Sequence, residues 1–95
     1  MKLEIITPES KVFEGEAKAV LLPGIDGLFQ VLNNHAPIVS ALKAGKVKVD
    51  LDQDYKADED SSPLVQTGSN SKIIEVEIKG GVAEMLNNKM IVLAE

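Results

Sequence analysis

The feature that most constrains the fold is a strict two-residue alternation of apolar and charged side chains. Residues 74–79 read I-E-V-E-I-K, and weaker forms of the same alternation occupy residues 2–5 and 46–51. Because successive side chains of a β-strand point to opposite faces, each segment is predicted to be a strand with one buried and one exposed face. Such strands are typical of antiparallel sheets. The side chains predicted to face the interior are Leu3, Ile5, Val47, Val49, Ile74, Val76 and Ile78.

Other short segments are apolar throughout, and turn-forming residues separate the predicted strands. Residues 19–22, 28–32 and 90–94 are too short for convincing helices and are predicted to be central strands covered on both faces. Gly80 and Gly81 are compatible with a turn, a bulge or a close approach between strands. About eight short strands at this spacing predict an all-β sandwich or barrel. The predicted turns lie at residues 7–10, 23–27, 44–45, 80–81 and 87–88.

Two segments fit this pattern less well. Residues 35–44 place three apolar side chains at helical spacing behind Pro37, although the alternating strand that follows favours a hairpin arm. Residues 52–71, here called the acidic segment, contain five acidic residues and four serines, with Leu64 and Val65 as their apolar pair. Low hydrophobicity with clustered like charge predicts a solvated loop or an extruded hairpin that interrupts the sandwich without forming a second domain.

Length and composition exclude several classes of function. The 95 residues correspond to one domain over residues 1–95. Ten lysines, no arginine and fifteen acidic residues give a net charge of −5, which repels nucleic-acid phosphates, and three aromatic residues offer little surface for base stacking. No apolar run is long enough to span a bilayer, and the first residues lack the pattern of a signal peptide. Without cysteine, disulfides and thiolate chemistry are excluded.

No catalytic, metal or cofactor site is predicted from motifs. His35 is the only histidine and no serine lies in a G-x-S-x-G motif, so a nucleophile beside a base is not expected. The simplest interpretation of His35 is a loop residue whose imidazole bonds a neighbouring backbone group. Residues 50–54 lack the glycine and glutamate that complete a calcium loop, and Gly24 and Gly27 lack a phosphate-binding motif. The residues alone therefore predict a binding or scaffolding module, with a small ligand or a peptide as alternative partners.

Landmarks along the chain, taken in order, resemble a known family. They are L-E-I-I-T-P-E at residues 3–9, V-F-E-G-E at 12–16, L-P-G-I-D-G at 22–27, N-H-A-P at 34–37, A-L-K at 41–43, G-G-V at 80–82 and V-L-A-E at 92–95. Together they resemble the N-terminal domain of the ε subunit of F-type ATP synthases, over residues 2–51 and 72–95. The acidic segment has no counterpart in this resemblance.

The resemblance implies a flattened antiparallel β-sandwich of about ten strands. It also implies a non-catalytic rotor subunit of the central stalk, without a cofactor, at the cytoplasmic face of the bacterial inner membrane. Such a subunit is bound to the γ subunit and seated on the membrane c-ring, where it helps to couple ion flow to ATP synthesis. Family members often continue into a two-helix C-terminal domain associated with inhibition and ATP binding. The chain is expected to lack that domain, so nucleotide binding is not expected.

Two loops are the predicted partner sites. Apolar residues beside a tight glycine turn suit docking better than solvation, although Ile25 and Leu28 could instead close the end of the sandwich. Because residues 28–32 would span about 17 Å as a strand, the two loops are expected at its opposite ends. The predicted residues in contact with the c-ring are Ile25, Asp26, Gly27 and Leu28. Supporting contacts within the rotor, with the c-ring or γ, are predicted for His35, Ala36 and Pro37.

Overall fold

The computed structural model describes residues 1–59 and 61–95, and the regular elements in them are all β-strands. The all-β prediction is therefore confirmed for the described residues. Within the same residues, no helix has the length and apolarity needed to cross a membrane. The strands are β1 (Lys2–Ile6), β2 (Lys11–Gly24), β3 (Gly27–Leu32), β4 (Ile38–Leu51), β5 (Val65–Thr67), β6 (Ile73–Leu86) and β7 (Lys89–Ala94).

Five of the strands form a closed ring. β1, β7, β6, β4 and β2 are hydrogen-bonded in that order, and β1 also pairs with β2. β3 is attached to the side of β2, and β5 is attached to β6. The pairing of β1 with β7 is parallel, whereas the others are antiparallel. In the described residues, β3 and β5 each pair with one neighbouring strand, so each has a free edge.

The ring encloses the apolar core that the alternation predicted. All seven side chains expected to face the interior are buried, with Ile78 the most exposed of them at 4%. At the alternate positions of β6 the residues are charged: Glu75 is half-buried and Glu77 is exposed. A one-residue slip would exchange these two sets, so the alternation fixes the register of this strand.

The described residues contain seven strands, where about ten were expected. β2, β4 and β6 are each 14 residues long. The two halves of β2 have different neighbours, since residues 11–16 pair with β1 and residues 19–24 pair with β3. A long strand whose successive parts pair with different neighbours serves both halves of the fold as one element. The expected count was wrong because a change of neighbour does not interrupt these strands.

Two of the predicted turns are wrong for the same reason. Residues 44–45 and 80–81 lie inside β4 and β6, which keep one register from Ile38 opposite Met85 to Asp50 opposite Ile73. The helical alternative for residues 35–44 is also wrong, because most of that segment belongs to β4. The turns at residues 7–10, 23–27 and 87–88 are confirmed, and both asparagines of the last have positive φ.

The glycine pair in β6 marks a close approach between strands. Gly80 and Gly81 have φ of 151° and 150°, values that side-chain-bearing residues rarely adopt. A Cβ atom on Gly81 would overlap the carbonyl oxygen of Leu93 in β7. The positions that face inward also change from even to odd residue numbers here. Residues 74, 76 and 78 face inward before the pair, and residues 83 and 85 face inward after it. The glycines thus allow β6 to turn its other face toward the core.

The prediction that three apolar segments are covered on both faces holds for one of them. In residues 19–22 of β2, Leu21 is half-buried and its three neighbours are buried. β3 instead lies at an edge, with Leu28 and Leu32 exposed, and β7 exposes Leu93 on its outer face. Apolar composition does not distinguish an edge strand from a central one, because that depends on which strands pair beside it.

The acidic segment is solvated but attached to the ring. None of its described residues is fully buried, which confirms the predicted solvation, and Asp60 lies outside the described residues. β5 pairs with β6, and the Tyr55 ring packs against the core and against Phe13, with ring centroids 6.2 Å apart. The Tyr55 amide also donates to the carbonyl oxygen of Ser71 at 2.7 Å. The segment is therefore a folded excursion between β4 and β6.

Candidate docking surfaces

The hairpin tip, defined here as residues 24–28, joins β2 to β3. Gly24 pairs with Gly27, which has φ of 129°, so only two residues form the turn. A Cβ atom on Gly24 would lie 2.7 Å from the carbonyl oxygen of Gly27, which explains the glycine at that position. Ile25 is 60% exposed and Leu28 is 68% exposed. The alternative in which these side chains close the end of the sandwich is therefore wrong.

The hairpin tip rests against the beginning of β4. The Ile25 amide donates to the carbonyl oxygen of Ala41 at 3.2 Å. Residues 24–29 and 39–41 line a shallow groove of about 470 Å³. Asp26 is exposed and forms no ion pair with the residues that the structure describes. The tip thus presents two apolar side chains and one carboxylate that is available to a partner.

A second apolar surface, here called the apolar stripe, crosses the outer face of β4, β6, β7 and β1. Opposed residues in the ladder form it, and Val82 and Leu93 are 40% and 53% exposed. Val39 is 73% exposed and precedes the stripe by two residues on the same face of β4. Opposed side chains in neighbouring strands lie about 5 Å apart, so these residues form a continuous patch. In order across the sheet, the stripe consists of Ala41, Val82, Leu93 and Ile6.

The apolar stripe meets the hairpin tip at Ala41, the residue whose carbonyl accepts from Ile25. Sequence reasoning missed this surface. The alternation in residues 74–79, continued unchanged, would place Val82 inside, whereas the phase change at the glycine pair places it outside. The available signal was therefore the glycine pair itself, combined with the apolar run at residues 90–94.

Residues 35–37 lie beyond the other end of β3 and are exposed. The Nδ1 atom of His35 is 2.7 Å from the carbonyl oxygen of Ala36, which confirms the simple interpretation of this histidine. The Asn34 amide donates to Oδ1 of Asn88 at 2.7 Å, so this loop is tied to the turn between β6 and β7. The two predicted loops are therefore at opposite ends of β3, as expected, and the structure does not bring them together.

Charged pairs on β1, β2 and β7 border the apolar stripe. Lys89 Nζ lies 3.4 Å from Oε1 of Glu4. Lys11 Nζ donates to Oε1 of Glu14 at 2.9 Å, and Lys2 Nζ lies 3.4 Å from Oε2 of the same residue. The hydrogen bond from Lys11, followed by that from Lys2, lowers the pKa of Glu14, and the same bond raises the pKa of Lys11. Glu4 is half-buried and the other four groups are exposed, so together they form a polar rim.

A larger groove of about 580 Å³ lies between the first half of β2 and the acidic segment. Phe13 and Tyr55 are among its lining residues, together with the carboxylates of Glu16, Asp52 and Asp54. Residues 1–59 and 61–95 contain no group of three or more His, Cys, Asp or Glu side chains placed to hold a metal ion. No feature of the groove selects a ligand, so the hairpin tip and the apolar stripe are the better candidate sites.

The amino-acid sequence matches known proteins along nearly its whole length. Residues 1–59 match the family described as "ATP synthase, Delta/Epsilon chain, beta-sandwich domain". An ATP synthase epsilon chain from Chlorobium limicola is 40% identical over 99% of this chain and 88% of its own length. The epsilon chain from Chlorobaculum tepidum is 40% identical over 98% and 86%, and that from Desulforamulus reducens is 36% identical over 99% and 58%.

The fold is similar to that of a solved structure from the same kind of complex. A chain in the cryo-EM structure of the Tetrahymena thermophila mitochondrial ATP synthase central stalk and c-ring matches with a TM-score of 0.69. The match covers 99% of this chain and 62% of that chain at 13% identity, so it supports the fold alone. Together with the sequence matches, it confirms the resemblance noted from the ordered landmarks. The chain belongs to the delta/epsilon chain family of ATP synthases and contains its β-sandwich domain.

Proposed function

We propose that the chain is a non-catalytic rotor subunit of an F-type ATP synthase, which links the γ subunit to the c-ring. Its relatives are ATP synthase epsilon chains, and the similar solved fold comes from a central stalk. The observation that carries the proposal is the exposed apolar surface that runs from the hairpin tip to the apolar stripe. A subunit that fixes two partners to each other needs such surfaces and no reactive group. In this role it couples ion flow to ATP synthesis from the cytoplasmic face of the bacterial inner membrane.

The hairpin tip is the proposed contact with the c-ring. Ile25 and Leu28 provide apolar anchors on a turn that Gly24 keeps tight. Asp26 can pair with a basic side chain in a ring loop, and a rim pair of this kind fixes register more than affinity. The tip projects from a closed ring of strands, so it can transmit force without bending at its base.

The apolar stripe is the proposed contact with γ, and residues 35–37 support it from the far end of β3. Neighbouring strands support the stripe, because Val82 and Leu93 each have an opposed residue on both sides. An apolar centre with a charged rim resembles the composition of stable protein interfaces. The domain of residues 1–95 then acts as a rigid spacer between two partners.

The proposal is tested by separating the two contacts. One variant combines Ile25→Ser with Asp26→Lys in the hairpin tip, and a second combines Val82→Ser with Leu93→Ser in the apolar stripe. We expect the stripe variant to bind isolated γ about tenfold more weakly in titration calorimetry, because buried apolar anchors dominate such interfaces. The tip variant should bind γ normally and lose ATP-driven proton pumping in reconstituted vesicles.

Glu77→Gln provides the matched control, because Glu77 is exposed on the outer face of β6 outside both surfaces. It should change neither γ binding nor pumping. Normal pumping and assembly by the tip variant would show that the hairpin tip is not the contact with the c-ring. Unchanged γ affinity in the stripe variant would likewise exclude the apolar stripe.

A further inference from the structure

β3 has a free edge that lacks the usual protection against strand pairing. It pairs with β2 along one side, and no other strand of residues 1–59 and 61–95 pairs with it. Natural edge strands are commonly protected by charged residues, proline or a bulge. The sequence of β3 is G-L-F-Q-V-L, which has no charge and no proline, and its register with β2 is regular throughout.

The geometry of the hairpin fixes which backbone groups of β3 point outward. Gly24 and Gly27 close a two-residue turn, so they are hydrogen-bonded to each other. The next opposed residues, Pro23 and Leu28, are not hydrogen-bonded to each other. Alternation along the strand then directs the amide and carbonyl groups of Leu28, Gln30 and Leu32 away from β2. The carbonyl oxygen of Leu32 accepts from the His35 amide at 3.1 Å, which agrees with this assignment.

The outward-facing residues of β3 can pair with the same residues of a second copy of the chain. When two copies of β3 run antiparallel about a two-fold axis, one register places Gln30 opposite Gln30 of the second copy. The same register places Leu28 opposite Leu32 of the second copy. The Leu32 carbonyl already accepts from the His35 amide, so the bond from the Leu32 amide to the Leu28 carbonyl of the second copy is the main one in this pair. The side chains of Leu28 and Leu32 are 68% and 54% exposed, and each would gain an apolar neighbour.

We propose that the free chain forms a dimer in which β3 pairs antiparallel with β3 of a second copy. The charge distribution favours β3 over the apolar stripe as the contact between copies. β3 carries no charge, whereas Glu84 and the ion-paired Glu4 and Lys89 flank the stripe. Burying charged side chains between two copies costs affinity, and a chain of net charge −5 already repels its own copy, so charge opposes contact through β3 least.

Dimer formation has a consequence for assembly, which rests on the function proposed above. Leu28 belongs both to the hairpin tip and to the pairing edge, so one molecule cannot use it for both contacts at once. The dimer is then a storage form that keeps an apolar edge covered, and docking of the tip on the c-ring requires its dissociation.

Sedimentation of the isolated chain tests the dimer. The chain should dimerise reversibly at concentrations up to about 0.5 mM, because pairing follows mass action. Gln30→Lys places two like charges directly opposite each other and should weaken dimerisation about tenfold or more. Leu93→Lys in the apolar stripe makes the same change in net charge and should leave dimerisation unchanged. A monomer at every concentration would overturn the proposal, and so would a dimer that Leu93→Lys dissociates and Gln30→Lys does not.

Cross-linking tests the register, since the chain contains no cysteine of its own. Opposed residues in a hydrogen-bonded pair have Cα atoms about 5.5 Å apart, a distance that a disulfide can span. Gln30→Cys should therefore cross-link to itself under mild oxidation. Leu28→Cys should not, because the two copies of this residue would lie about 14 Å apart along the strands. Efficient cross-linking of Leu28→Cys, or none with Gln30→Cys, would contradict this register.

These measurements use the isolated chain, so their failure leaves the proposed rotor function untouched. Conversely, normal pumping by the hairpin-tip variant would reject the c-ring contact without affecting the dimer.

Discussion

β6 and β3 are both rich in apolar residues, yet they have different roles in the molecule. β6 lies between β4 and β7 in the ring, and five of its side chains are at most 4% exposed: Ile74, Val76, Ile78, Ala83 and Met85. Among the described residues β3 has a partner on one side only, and it exposes two of its three leucine or valine side chains. Substitutions in β6 should therefore act on folding, whereas substitutions at the outer positions of β3 should act on association.

The two strands also use glycine differently. Gly81 of β6 has no room for a side chain because a backbone carbonyl occupies that space, whereas a Cβ atom on Gly27 of β3 would meet nothing within 4 Å. Both glycines have positive φ, so alanine would strain the backbone at either position. The difference in stability between the two alanine variants therefore measures the crowding at Gly81.

The largest effect is expected from a charge in the core of β6. Val76→Asp should leave the protein largely unfolded, because it buries a carboxylate without a partner and costs about 4 kcal/mol or more. Leu28→Asp on β3 should change the free energy of unfolding by less than about 0.5 kcal/mol. Urea titration followed by circular dichroism measures both. Similar losses in the two variants would show that the faces are wrongly assigned.

A smaller loss is expected from the glycine pair. Gly81→Ala should cost about 2–4 kcal/mol, since it combines a strained backbone with displacement of the β7 carbonyl. Gly27→Ala is the control and should cost about 1 kcal/mol, from conformation alone. Thermal unfolding of the two variants gives the difference. Equal costs would mean that β6 and β7 can separate freely at this point.

Removal of the acidic segment should cost less again. The Leu51 amide donates to the carbonyl oxygen of Lys72 at 2.7 Å, so an Asn-Gly turn can join these two residues directly. Deletion of residues 52–71 with this turn should preserve folding and cost about 1–2 kcal/mol, mainly from lost packing of Tyr55 and β5. Chemical denaturation measures the cost. Failure to fold would show that β6 depends on β5 for its stability.

The smallest effect concerns a charged pair outside both strands. The pKa of Glu14 is lowered from 4.5, so its contribution to stability is present above that pH and is lost as the pH falls through the lowered value. The pKa of Lys11 is raised from 10.5, so its contribution is lost as the pH rises through the raised value. Glu14→Gln should therefore flatten the acid limb of the stability profile slightly, and Glu77→Gln is the control. A large change would show that the pair is not solvent-screened.

Particular residues show why some of the fold could be predicted from the sequence. In residues 74–79 the alternation is local and depends only on the pleat of one strand, so burial of Val76 and exposure of Glu77 followed directly. The turn at Asn87 and Asn88 was predictable because asparagine tolerates positive φ. The hairpin tip was found from the spacing of Gly24 and Gly27. Its proposed partners remain predictions.

The errors have a common cause in pairing between distant strands. Ala44 and Gly80 looked like turn residues, but each lies inside a long strand, and the two strands keep one register with each other. Leu32 looked like a core residue of a central strand, but among the described residues no strand covers its side of β3. A local sequence contains no information about which distant segment lies beside it.

The sequence by itself determined the all-β class, the inward face of the alternating strands, three of the turns and the exposed hairpin tip. Each depends on the pleat or on the φ preferences of glycine and asparagine, which act over a few residues. Tertiary structure alone decided that β3 has a free edge and that Val82 and Leu93 meet in one apolar stripe. The physical reason is that a ring of strands closes through contacts between β1, β2 and β7, and this closure sets which faces and edges remain open to a partner.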